Sequence, residues 1–387
     1  MLACELDPNK FTVNIYEKNS ALGRKFLVAG DGGLNLTHSE SEENFINRYT
    51  PSYFLKDAFH HFSNKDLINW LAAKGLETFV GSSGRIFPKK TIKPIDVLNI
   101  FEKAIKNNNV KINFKHEWIG YTENNNLKFK TPSGETEIKS DINIFCLGGA
   151  TWPVTGSKGE WIDFFKNKNI ETVSFQSSNC SFKISWPKEI LNAIEGKPLK
   201  NIAVKCGNKI NFGEIVITMF GIEGSGIYPL SRPIRNEINN FGFAKIYIDF
   251  KPLLSEEELV NRILNSKSKL SYTEKIVKEL NLNKTQIILV KSKMSKSEFL
   301  DPIKFVNNLK NHEIIIQSLG PIEDAISSVG GISLNEITNQ FELKKLKNNY
   351  VVGEMLDYDA PTGGYLLQSC FSMGNFLANV LNNSSLN

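Results

Sequence analysis

Between Tyr350 and Gly374 the chain reads YVVGEMLDYDAPTGGYLLQSCFSMG, a short apolar run, a polar loop carrying Gly353, Gly363 and Gly364, and then apolar residues at helical spacing. The pattern predicts a strand over Tyr350 to Val352, a loop to Gly364, and a helix from Tyr365 to Val380. Gly363-Gly364 then falls where the helix begins. Unpaired backbone N–H groups and the positive end of the helix dipole lie there, so an anionic or electron-rich ligand edge can approach with no side chain in the way. An ordinary glycine-rich turn before a surface helix would read the same, so the stretch defines a site only with a partner.

That partner is Val13 to Ser39, VNIYEKNSALGRKFLVAGDGGLNLTHS. Val13 to Tyr16 reads as a strand ending in Glu17. In a doubly wound nucleotide-binding fold an acidic residue at the end of the second strand accepts hydrogen bonds from the ribose hydroxyls of an adenosine, the role expected of Glu17. Gly23-Arg24-Lys25, Gly30-Asp31-Gly32-Gly33, Asn35 and Thr37 follow, a segment rich in donors and free of bulk. It suits a pyrophosphate and a flavin ring.

With both stretches in view, the chain resembles the HI0933-like flavoproteins, FAD-dependent oxidoreductases related to the two-dinucleotide-binding-domain family. The resemblance rests on Glu17-Lys18-Asn19, LGRKFLVAGDGGLNLT from Leu22, SGRIFPK from Ser83, CLGGATWP from Cys146 with GSKG from Gly156, GEIVITMFGIEGSGIY from Gly213, GGISLNEI from Gly330, and Gly353 to Gly374. GDGGLNLTHS and GIEGSGIY look like the wording of a subgroup. The commoner wording has GGGRCN at the first block, and Leu34 stands where an Arg is usual.

The resemblance implies an α/β fold, a Rossmann-like FAD-binding domain lacking its first strand, with an inserted β-barrel domain and a small helical subdomain. The implied division is 1–173 for the first part of the FAD-binding domain, 174–252 for the β-rich insert, 253–327 for its helical part and 328–387 for the return. The implied cofactor-binding residues are Glu17, Arg24, Lys25, Gly30, Gly32, Gly33, Asn35, Thr37, Gly148, Gly149, Gly353, Glu354, Thr362, Gly363, Gly364 and Tyr365. The positive helix end near Thr362 to Tyr365 would stabilise an anionic reduced flavin, and FAD would carry out the redox step while the protein binds and orients it. The substrate is a small molecule, with amine oxidation and reduction of conjugated enones both open. NAD(P)H is a transient electron donor at most, since no second dinucleotide fold with its own GxGxxG is present. No residue receives a catalytic role. The competing reading is a non-catalytic flavin- or nucleotide-binding protein, or a truncated paralogue that has lost tight FAD binding.

Family members begin with a strand and a GxGxxG turn ahead of the acidic strand end. Here the residues before Glu17, MLACELDPNKFTVNIY, contain no glycine, and Met1 to Leu6 reads as the last turns of the first helix. A start codon placed one Met too late and a real truncation both account for this. The first is favoured, because a doubly wound sheet without its central strand would leave two neighbours with unpaired edges.

At 387 residues the chain holds two or three domains, and 41% apolar with 22% charged residues is ordinary globular composition. The net charge of +5 is spread along the chain rather than clustered, which argues against a nucleic-acid partner. No apolar run approaches a membrane span and no signal peptide precedes the fold, so the expected location is cytoplasmic. The five cysteines are isolated and read as reduced, buried thiols. No CxxC and no Cys/His spacing for a metal occurs.

Along the rest of the chain, Asn44 to Gly75 has helical period, with His60-His61 inside it in a structural role. Phe79 to Lys90 is a turn-rich loop from which Arg85 and Lys89 would place positive charge over a reduced flavin or an acidic substrate. Thr91 to Ile105 is a helix. From Val110 the period changes to alternation, ending in a buried strand over Ile142 to Leu147 before Gly148-Gly149. The insert begins with alternating segments and continues from Glu256 to Ser318 as lysine-rich helices. GIEGSGIY, from Gly221, is expected at the mouth of the substrate pocket, with a tight turn in a β-domain as the plainer reading.

Overall fold

A computed structural model describes residues 1–28 and 33–384. The chain forms two compact units: Met1–Gln176 with Ile326–Asn387, and Ser177–Ala325.

In the first unit the expected parallel pairing is present as two short ladders. Asn14–Glu17 pairs with Lys111–Phe114, and Asn143–Phe145 with Asn349–Val351. No described strand joins the two ladders into one sheet. Ahead of the first ladder, a single helical turn, Leu2–Glu5, lies against the last helix, Tyr365–Asn383. A Cβ on Gly374 would come within 3.1 Å of the Leu2 nitrogen, so a larger residue there would push the two helices slightly apart. Asn382 locks the contact: its Oδ1 accepts from the Asp7 N–H and its Nδ2 donates to the Glu5 carbonyl, each at 2.9 Å.

The segment Phe79 to Lys90 is not a loop throughout. Thr78–Val80 and Arg85–Pro88 form a hairpin, and Thr37–His38 adds to its free side, Thr37 opposite Ile86 and His38 opposite Arg85. The helices of Asn44 to Gly75 are three short pieces and a 3-10 turn; the longest, Asn64–Ala73, starts from a capping box in which Ser63 and Asp66 satisfy each other's backbone N–H groups. The earlier pieces join the core around Phe45, Phe59, Tyr358 and Leu377, while Leu67 and Leu71 of the longest pack in a separate cluster with Leu36 and Val97.

The second unit holds a seven-stranded antiparallel sheet, from His312–Ile316 at one end to Ser318–Leu319 at the other. The expected barrel is not closed by a ladder. Its two end strands are consecutive stretches of chain separated by Gln317 alone, the first pairing with Ala244–Asp249 and the second with Phe182–Lys183. The helical segment expected to reach Ser318 therefore ends at Lys310. Ile314 and Ile316 point inward and join one core with Phe250, Leu259 and Phe305. The glycines of GIEGSGIY are explained here by packing: a Cβ on Gly224 or Gly226 would meet the Glu214 carbonyl oxygen at 2.8 or 2.9 Å. Asn211 Nδ2 holds the turn by donating to the Ser225 and Gly226 carbonyls.

Candidate functional site

Three polar groupings in the first unit contain most of the residues expected from the sequence. At the end of strand Asn14–Glu17, Glu17 Oε1 accepts from the backbone N–H (2.7 Å) and the Nδ2 (2.9 Å) of Asn19. Asn19 Oδ1 in turn accepts from Arg24 at 3.1 Å, and its Nδ2 reaches the Thr155 carbonyl at 3.4 Å. A Cβ on Gly156, at φ +104°, would strike Asn19 Nδ2 at 2.8 Å, so that loop lies directly on the strand end. The turn is held by Trp152, a left-handed residue (φ 58°, ψ 61°) whose carbonyl accepts from both the N–H and Oγ1 of Thr155.

The second grouping centres on Lys25. Its Nζ donates to Thr151 Oγ1 at 2.7 Å and to Glu354 Oε2 at 2.9 Å. Glu354 Oε1 accepts from the Ser328 N–H, and Ser328 Oγ accepts from the Ala150 N–H, the residue after Gly148-Gly149. Gly353 faces Cys370, whose Sγ would lie 3.6 Å from a Cβ there. Burial, aided by Glu354 and Cys146, pushes the Cys370 thiol up to about 12. Cys146 departs from the expected buried thiol: it is exposed.

The third grouping is where the two glycine-bearing stretches meet. A Cβ on Gly364 would lie 2.6 Å from the Thr37 Cα, and one on Gly363 would lie 3.7 Å from Arg85 Nε. Tyr365 begins the helix, stacks on His38 with ring centroids 5.3 Å apart, and donates its hydroxyl to Glu40 at 2.8 Å. Glu40 is gripped by Arg48 from its Nε (3.0 Å) and its second nitrogen. Arg48 holds the Glu40 carboxyl below its ordinary range, while burial and the bond to Glu40 raise the Tyr365 phenol well above its own. His38 has both ring nitrogens engaged, with the Ser83 carbonyl and the Glu40 N–H.

Gly30 and Gly32 lie outside the described residues. Gly33 sits against the Phe87 ring, and Gly148 offers its carbonyl to Trp161. Thr362 is half-buried beside the glycine pair. Sequence reasoning did not single out Thr151 or Ser328, whose lone hydroxyls carry no spacing signal. Clefts of about 380 Å³ beside Lys293 and Lys304 and about 190 Å³ beside Tyr53 and Phe341 contain none of the expected residues. Polar geometry rather than volume marks the site: Asn35 Oδ1, Thr37 Oγ1 and Gln368 Oε1 are buried without a partner among the described residues. Leaving such a group unpaired costs about 1–3 kcal/mol, so three of them around one helix start fit a polar ligand.

Fold and family together define a flavin-dependent oxidoreductase with FAD as its cofactor. The chain belongs to the HI0933-like family, whose model, HI0933-like protein Rossmann domain, matches residues 1–380. It is 21% identical over 376 residues to a 3-dehydro-bile acid delta(4,6)-reductase of Clostridium scindens, covering 94% of this chain and 90% of that protein. It is also 21% identical over 378 residues to a ribosomal RNA dihydrouridine synthase of Haemophilus influenzae, covering 93% and 90%. Among solved structures, a 3-ketosteroid-delta4-(5alpha)-dehydrogenase from Rhodococcus jostii aligns with a TM-score of 0.48 at 11% identity, over 97% of this chain and 92% of that one. No described helix is long and apolar enough to cross a membrane.

Proposed function

We propose that the chain reduces a carbon–carbon double bond conjugated to a carbonyl group, using FAD held by the three groupings and NAD(P)H as a transient donor. Glu17, with one carboxylate oxygen turned to Asn19, leaves the other for the ribose hydroxyls of the adenosine. Arg24 and Lys25 supply positive charge beside it, Gly148, Gly149 and Gly353 keep the passage clear, and Glu354 is fixed by Lys25 and Ser328. Thr37 meets Gly364 at the helix start, and Gly33, Asn35 and Thr362 to Tyr365 are assigned to the flavin there, with Gly30 and Gly32 assigned to the same stretch of sequence. When bound, FAD supplies the two-electron chemistry; the protein supplies orientation and a positive field where negative charge gathers.

The observation that carries this reading is the approach of Gly364 to Thr37, which brings the start of the helix against a segment where Asn35 and Thr37 each keep a side-chain oxygen with no partner among the described residues. The substrate class is supported by the names of two relatives, a 3-dehydro-bile acid delta(4,6)-reductase and a ribosomal RNA dihydrouridine synthase, each of which describes saturation of a ring double bond. These names support enone reduction ahead of amine oxidation, the other reading left open by the sequence. Because one relative is named for ribosomal RNA, RNA joins the panel of substrates despite the unclustered charge.

The test is anaerobic. Purified protein is bleached with NADPH or NADH, then mixed with a 3-oxo-Δ4 steroid, cyclohexenone, uridine or ribosomal RNA. Return of the oxidised flavin spectrum with formation of the saturated product is the expected result. Flavin that is reduced but reoxidised only by oxygen, or by an amine-derived imine in the reverse sense, would overturn it.

A further inference from the structure

We infer that Thr151 and Ser328 are positioning residues: two buried hydroxyls that close Lys25, Glu354 and the Ala150 peptide into one hydrogen-bonded ring, and so hold groups assigned to FAD in place before it binds. The inference deepens the cofactor-site reading given above and rests on it.

The ring is drawn from separate segments of the chain. From Lys25, on helix Arg24–Val28, Nζ donates to Thr151 Oγ1 at 2.7 Å and to Glu354 Oε2 at 2.9 Å. Glu354 Oε1 accepts from the Ser328 N–H at 3.1 Å, and Ser328 Oγ accepts from the Ala150 N–H at 3.0 Å. Ala150 and Thr151 are bonded neighbours, so the path returns to its start. The packing inside it is close. A Cβ on Gly149 would lie 2.1 Å from Ser328 Oγ and 3.0 Å from Glu354 Cδ, and the Gly149 carbonyl accepts from Ser157 Oγ at 2.7 Å.

Thr151 is 0% exposed and Ser328 4%, so both hydroxyls are enclosed and each acts through the group it touches. An ammonium on a flexible four-carbon stem sweeps an arc when it has one anchor; with two, Thr151 and Glu354, it is held at a point. Two of its three N–H bonds are then engaged, and one remains for a ligand. The Glu354 carboxylate is fixed in the same way. A backbone N–H on one oxygen and the ammonium on the other set the plane of the group, and each oxygen keeps a lone pair for a further donor. Groups set before a ligand arrives do not have to be ordered when it binds, which is how preorganisation raises affinity. Thr151 and Ser328 therefore tighten FAD binding without touching FAD.

The test measures the FAD affinity of the full chain, stripped of flavin and titrated with FAD while quenching of the FAD fluorescence is followed. Valine keeps the branched shape of threonine and drops the hydroxyl; serine does the reverse. T151V is expected to weaken FAD binding by about tenfold, as loss of a hydrogen bond to a charged group requires, and T151S to stay within about twofold of wild type. A packing role would give the opposite order. In a K25M background T151V is expected to add nothing, because the group it positions is gone. S328A is expected to weaken FAD binding by about fivefold, and it carries the comparison if circular dichroism shows that T151V does not fold. Unchanged FAD affinity in either T151V or S328A, T151S as weak as T151V, or a full further loss from T151V on top of K25M would overturn the inference and leave the cofactor reading standing. A wild type that binds no FAD overturns instead the function proposed above, and the inference falls with it.

Discussion

Gly364 and Thr37 meet backbone to backbone, with room for a hydrogen but not for a methyl group: a Cβ on Gly364 would lie 2.6 Å from the Thr37 Cα and 2.7 Å from its nitrogen. Gly364 also has φ +91°, where an L-residue costs about 1–2 kcal/mol. Overpacking adds a further cost of about 1–3 kcal/mol. G364A is therefore expected to destabilise the chain by roughly 2–4 kcal/mol in urea unfolding and to lower flavin retention. G363A separates the two costs, because Gly363 shares the backbone strain at φ +122° but meets the edge of the Tyr365 ring at 3.1 Å rather than backbone, so it should cost less than G364A. Equal stability of G364A and wild type would mean the two stretches do not touch.

Lys25 and Glu354 test the second grouping. The pair is 2.9 Å apart with Lys25 30% and Glu354 10% exposed, so it is neither a screened surface contact nor a fully dry one. K25M leaves Glu354 with the Ser328 N–H as its remaining protein donor and is expected to cost about 1–3 kcal/mol. E354Q can still accept from the Ser328 N–H through its one oxygen, but it turns an amide NH2 toward Lys25 and so loses both the charge and the bond to Nζ. In the double mutant the two losses should overlap, giving a coupling of about 1–2 kcal/mol in a double-mutant cycle. Additive single effects would show that the ion pair is not formed in solution.

The strand, loop and helix around Gly353 to Tyr365 were legible because apolar period and glycine placement agree over a long helix. The same holds for Asn14–Glu17, where a short β-branched run ends on an acid. What was not legible depended on distant partners. The hairpin Thr78–Val80 with Arg85–Pro88 is too short for alternation to show, and it is defined by Thr37–His38 pairing onto it. His312–Ile316 follows a helix as an apolar run, and period alone does not separate a buried strand from a helix of that length. Thr151 and Ser328 become site residues only because Lys25 and Ala150 reach them across the fold. GIEGSGIY shows why its two readings stayed open in one dimension, since glycine needed for close packing reads there like glycine needed for a ligand.

Trp152 is a bulky residue in the left-handed region, at φ 58°, in a loop that touches both Lys25 and Asn19. W152G removes that strain, about 1–2 kcal/mol, and gives back part of it through the greater freedom of glycine in the unfolded chain. The expected result is unchanged or slightly raised stability together with weaker flavin retention, measured by urea unfolding and by flavin released on dialysis. A marked loss of stability would show instead that the indole is a packing element.

His312 sets a pH dependence that belongs to the second unit. It is 1% exposed, packs on Phe250, and donates Nδ1–H to Asn308 Oδ1 at 2.9 Å. Burial, and to a lesser degree the Lys293 ammonium, push the imidazole from 6.5 down to about 4. Between those values the unfolded chain binds a proton that the folded chain does not. Stability from this group is therefore complete above pH 6.5 and is lost as pH falls toward 4, by on the order of 3 kcal/mol. H312Q removes the titrating group and leaves every other one, so the difference in unfolding free energy between wild type and H312Q isolates it. That difference should shift by the stated amount across the window and level off below it. A difference that stays flat from pH 7 to pH 4 would mean that His312 reaches solvent instead of packing on Phe250.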